Sequence, residues 1–146
     1  LLGLDYSVDR MTDADIQHLD EIVDDMRAAA RDNDLDRLVE VDLYFHEYLL
    51  QQAQHELALK LWRMLEVGIR RCLRTRHQIY TFLDEVVGSH PTLITALAQR
   101  DKALAKQILS DHVAESVTHI LANWPPEEDA VPPVAVPAPG SAGAEL

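Results

Sequence analysis

Between Leu4 and Trp124 apolar residues return every three or four positions, and no alternation of period two is sustained. That is the periodicity of helices rather than strands. Only Gly68, Gly88 and Pro91 interrupt this stretch, so long helices joined by short connections are predicted. Thr12, followed by Asp13 and Asp15, predicts a helix N-terminus, because a hydroxyl caps free N–H groups and carboxylates suit the dipole there. This helix runs to about Arg31 with Ile16, Leu19, Ile22, Val23 and Met26 inward. Asp32-Asn33-Asp34 ends it and caps a second helix over about 35–53. A third, about 56–77, carries Leu57, Leu61, Leu65, Gly68, Ile69 and Cys72 along one side. The stretch 78–89 is read as a short helix closing at Gly88. Ser89-His90-Pro91 starts the next, to about Gln99, since proline fits a first helical turn. The last spans about 102–123 and stops before Pro125-Pro126. The expected fold is all-α, an antiparallel bundle of about six helices over 12–124. Residues 1–11 are expected to be a residual linker or a truncated first helix. The Pro/Ala-rich stretch 125–146, with six of the seven prolines, is expected to be a disordered tail.

Polar residues laid on these stripes carry the chemistry. The second helix turns Leu35, Leu38, Val39, Phe45, Leu49 and Ala53 inward, and Asp42 sits in the middle of that face. A buried carboxylate without a partner costs several kcal/mol or more, so it requires a strong counterpart. His46 follows one turn later, where residues i and i+4 address one spot. His90 precedes Leu93, Ile94 and Leu97 at inward spacings, and His112 lies among Ala105, Ile108, Leu109, Ser116 and Ile120. Taken singly, each is better explained as a hydrogen-bonded core residue, and Asp42–His46 as an ion pair. Three helices each turning an imidazole inward, one with a carboxylate as well, shift the balance toward a divalent metal site in the core. The remaining histidines suit it less. His18 lies beside its stripe, His55 in a turn and His77 at a helix end. His119 is one ~10 Å step beyond His112 along the same helix.

Composition narrows the function classes. At 146 residues and 47% apolar content the chain forms one domain with a real core. Its net charge of −12 argues against direct contact with nucleic acid, which depends on Lys and Arg displacing counterions. The charge is uneven: residues 1–54 hold 14 acids and 4 bases, 55–76 hold 2 and 6, and 77–146 hold 9 and 3. A lone Cys72 suits a reducing compartment, and no stretch reads as a membrane span or signal peptide. A cytoplasmic location without membrane partners is therefore expected. Starting at Leu rather than Met, the chain reads either as a fragment of a longer protein or as one with a processed start.

Asp42-Leu43-Tyr44-Phe45-His46 resembles the D-x-x-F-H motif of the FCD family, named for the FadR C-terminal domain. These are effector-binding and dimerisation domains of GntR-type bacterial transcription regulators. The resemblance covers about 12–123 and includes Met26-Arg27-Ala28-Ala29-Ala30 before an acidic turn, Leu61-Trp62, His90 with Leu93-Ile94, Arg100-Asp101, and His112. It implies Asp42, His46, His90 and His112 as metal ligands, for zinc or nickel first and manganese next. Pro91 departs from the family pattern and bears on His90. The winged helix that normally precedes the domain, and contacts DNA, is missing from this sequence.

The resemblance also implies a homodimer that senses a small carboxylate at the metal. Of Arg70, Arg71, Arg74 and Arg76, Arg76 falls nearest an apolar stripe and is a weak candidate anchor for the acid. The plainer expectation makes these arginines a solvated face paired with the acidic first helix. Cys72 is expected to pack in the core. A regulatory domain, not an enzyme, is expected. The alternatives are a hydrolase-like metalloenzyme using the open coordination site, and a metal-free helical interaction domain. Against the enzyme, His55-Glu56 lacks the second histidine of H-E-x-x-H, and no E-x-x-H pair occurs.

Overall fold

The computed structural model describes residues 4–75 and 83–122. Seven helices are found among them and no strand: α1 (Leu4–Arg10), α2 (Asp13–Arg31), α3 (Leu35–Gln52), α4 (Glu56–Thr75), α5 (Asp84–Val87), α6 (His90–Ala98) and α7 (Lys102–Ala122). Arg76, His77 and the 125–146 tail lie outside the described residues, as do the side chains of Cys72, His119 and Ile120.

The caps account for the boundaries. At the start of α2, Asp15 N–H donates to Thr12 Oγ1 at 3.2 Å, and Thr12 N–H donates to Asp15 Oδ2 at 2.7 Å. This reciprocal capping box satisfies two N–H groups the helix leaves free. At its end Asn33 turns left-handed (φ 54°), Asn33 N–H bonds Ala30 O and Asp34 N–H bonds Ala29 O. Such a Schellman arrangement closes the last turn, and asparagine tolerates its positive φ. Asp34 Oδ1 then accepts from Arg37 N–H and caps α3. A three-residue connection makes α2 and α3 antiparallel neighbours. Between α5 and α6, Gly88 has φ +30°, and a Cβ there would meet the Glu85 carbonyl oxygen at 2.9 Å. Only glycine makes that turn without strain.

α2 packs on α3 and α6, α3 on α4, and α6 on α7. The core joins Leu19, Val23 and Met26 of α2 to Leu38, Phe45 and Leu49 of α3, with Leu93, Ile94 and Leu97 from α6. α1 contributes Leu4 and Val8, and its Ser7 hydroxyl donates to Leu49 O at 2.9 Å. Arg100, held left-handed at the end of α6, donates to Val8 O at 2.7 Å.

Two expectations about the third predicted helix are corrected. Its leucine stripe is not core: Leu57, Leu61 and Leu65 of α4 are 61%, 45% and 60% exposed. Of its arginines, Arg63, Arg70 and Arg74 pair with α3 rather than with the acidic α2. Arg70 reaches Glu40 at 2.8 Å, Arg74 reaches Asp36 at 3.0 Å, and Arg63 reaches Glu47 at 3.1 Å. The physical reason is rotational. α4 sets this ionic face beside α3, which turns its leucine stripe away from the packed core.

Candidate metal centre

α3 buries Asp42 in line with Leu38, Phe45 and Leu49, and His46 follows one turn on, 14% exposed. His90 is the first residue of α6, and Pro91 sits in that first turn without displacing it. The His90 ring is buried, perpendicular to Phe45 at 4.7 Å between centroids. His112 comes from α7. The three imidazoles lie 4.8–5.4 Å apart between centroids. Asp42, His46, His90 and His112 each offer one ligand atom, all within 4.8 Å of one another. The four residues selected from the sequence are thus brought together from three helices.

Hydrogen bonding shows what the cluster lacks. His90 Nδ1 lies 2.9 Å from the Val87 carbonyl. A carbonyl only accepts, so Nδ1 carries the hydrogen, and the neutral ring has a lone pair at Nε2. Nε2 is buried without a hydrogen-bond partner and lies 3.3 Å from Asp42 Oδ1, which is also 4.0 Å from His46 Nε2. A lone pair facing a carboxylate oxygen becomes favourable only when a proton or a metal cation stands between them. Burial pushes His46 down to about 3, against the pull of Asp42, so His46 stays neutral near pH 7. Burial works to raise the Asp42 carboxyl. The neighbouring His90, His46 and His112 rings oppose it, and the group stays below its ordinary value. Asp42 is therefore ionised near pH 7. Ser89 Oγ lies 3.1 Å from His112 Nδ1, the outer-sphere contact that orients a ligating imidazole. One anionic oxygen and imidazole nitrogens, buried and convergent, fit a divalent ion of the zinc, nickel or manganese type.

His18 and His55, the other histidines with described side chains, stay apart from this cluster. His18 Nε2 meets the Tyr44 hydroxyl at 3.1 Å, and His55 Nδ1 accepts from Ala58 N–H at the start of α4.

Beside His46 opens a cavity of about 580 Å³, bounded by α1, α3, α4 and α7. Trp62 lines it and lies 5.8 Å from His46 between ring centroids. Periodicity pointed to none of this, because the cavity uses the stripe of α4 that the sequence assigns to packing. The sequence marks Ser89 only as part of a helix start, yet its side chain makes no capping bond and lies against His112 instead. The sequence signal available was a serine immediately before an inward histidine.

Residues 3–115 match the FCD domain family. No curated protein matches the chain. Among solved structures, the fold is similar to that of E. coli McbR/YncC, with a TM-score of 0.76 at 15% identity. The likeness covers 84% of this chain and 62% of that one, so this chain spans less than two thirds of that protein's length.

Proposed function

The chain belongs to the FCD family, a family of ligand-sensing regulatory domains rather than enzymes, and from that premise we propose that it senses a small organic acid through a divalent metal ion. Asp42, His46, His90 and His112 are the residues that would hold the ion. When bound, it supplies an electropositive coordination point for a carboxylate. The chain's own groups do the rest. Val87 O fixes the His90 tautomer, Ser89 orients His112, and burial keeps His46 unprotonated. The observation that carries this proposal is the buried Nε2 of His90, which has no hydrogen-bond partner among the described residues and lies 3.3 Å from Asp42 Oδ1.

In the same proposal two copies pair, and DNA is contacted through a separate winged-helix domain in the cytoplasm. Pairing is supported by α4, where Met64 and Val67 are 78% and 71% exposed. The space around Gly68 is open, which leaves room for close approach of a second helix. No helix among the described residues is long and apolar enough to cross a membrane. Effector binding changes the pairing only in so far as it favours one of two arrangements over the other.

The test is metal analysis after stripping and reconstitution with zinc, nickel or manganese. Wild type is expected to retain about one ion per chain, and Asp42→Ala and His46→Ala to retain about a tenth of that or less. A wild-type content no higher than that of the variants favours the metal-free interaction domain instead.

A further inference from the structure

The cavity beside His46 has walls of one kind. Leu57, Leu61 and Leu65 of α4 face Leu109 and Val113 of α7 across it, and among the described residues no lysine, arginine, aspartate or glutamate lines it. Its polar residues are few, and two have their local bonds made. Ser7 Oγ donates to Leu49 O, and His55 Nδ1 accepts from Ala58 N–H. A third feature points to a ligand oxygen. Trp62 Nε1 is buried and has no hydrogen-bond partner among the described residues. A buried donor left without an acceptor is costly, so an acceptor supplied by a ligand is worth about tenfold in binding.

We propose that the effector is an amphipathic monocarboxylate. Its single anionic end lies beside His46, with a carboxylate oxygen accepting from Trp62 Nε1–H, and its hydrocarbon body lies along the α4 leucines. The identity of the anionic end rests on the metal-site proposal above; the apolar body does not. Di- and tricarboxylates are disfavoured here, because each further carboxylate would be desolvated with no cation in the lining to meet it. The exposure of Leu57, Leu61 and Leu65 follows from the same cause. They are the wall that an alkyl chain covers, and the volume falls within the range usual for small-molecule sites.

The experiment is calorimetric titration of the zinc-reconstituted chain with acetate, butanoate, hexanoate and octanoate, and with malate and citrate. Affinity is expected to rise about threefold to fourfold per added methylene, with citrate and malate weaker than octanoate. Trp62→Phe keeps the ring and removes the donor. It is expected to weaken every alkanoate by about tenfold with the chain-length slope unchanged. Leu65→Gln, at an exposed position that disturbs little packing, is expected to flatten the slope while zinc content stays at the wild-type level. A slope near zero in wild type, or citrate binding tighter than octanoate, overturns the proposal. Metal content measured on the same samples separates the two proposals. Zinc retained with a flat slope defeats only the hydrocarbon body. A wild-type slope in protein that holds no zinc defeats only the metal.

Discussion

Asp42 occupies a position that periodicity reserves for a leucine, and its oxygen faces an imidazole lone pair rather than an N–H. An isosteric amide reverses that relation, since its NH2 can donate to His90 Nε2. Asp42→Asn is therefore expected to make the metal-free protein more stable by about 1 kcal/mol or more. The same substitution should abolish stabilisation by zinc, which for a site at a hundredfold excess over Kd is about 2.7 kcal/mol. Urea unfolding of both proteins, in chelator and in zinc, checks both halves. An Asp42→Asn protein less stable than wild type in chelator would show that the carboxylate is held by protein hydrogen bonds alone. At this scale the sequence was highly legible. Asp42, His46, His90 and His112 all stand at inward positions of their own helices, so local geometry was enough to select them. The tautomer of His90 was not legible, because its bond to Val87 O depends on how the chain turns through Gly88.

Helix ends were legible for the same local reason. Thr12 and Asp15 satisfy one another's backbone groups within a single turn and need no distant partner. Thr12→Ala is expected to cost about 1 kcal/mol in urea unfolding, the usual loss for a capping hydroxyl. Asp15 also reaches beyond its own helix, accepting from the Tyr48 hydroxyl of α3 at 2.7 Å. The Thr12 backbone N–H, then the Thr12 and Tyr48 hydroxyls, hold its carboxyl below the ordinary 3.8. The folded form then binds fewer protons than the unfolded chain across that interval. The stability it contributes is full above pH 3.8 and is lost as pH falls through the lower folded value. Asp15→Asn should therefore be less stable than wild type near neutrality, with the gap narrowing in acid. A gap that stays constant below pH 4 counts against this account. α4 was the element least legible. A stripe of leucines at helical spacing announces a helix but not which neighbour, solvent or ligand its apolar side meets.

Across the whole molecule, α4 joins the bundle by ion pairs on one face and leaves apolar side chains on the other. Exposed ion pairs contribute only about 0–1 kcal/mol each, so they orient α4 more than they anchor it. Met64 and Val67 are exposed and lie outside the cavity lining, so the proposed pairing surface and the proposed effector wall are distinct. If the proposed pairing runs through α4, wild type is expected to scatter light as a dimer and Met64→Lys combined with Val67→Glu as a monomer, with zinc content unchanged. An unaltered molar mass would remove α4 from the interface.

The sequence by itself determined the helical class, most helix boundaries and the four candidate ligands, because periodicity and capping act within one or two turns. Tertiary structure alone decided that imidazoles from three helices meet one carboxylate, and that α4 turns its arginines toward α3 and its leucines toward a cavity. It alone left Trp62 Nε1 and His90 Nε2 buried without partners. Those outcomes depend on how helices distant in sequence are rotated and spaced against each other, and no local pattern encodes that.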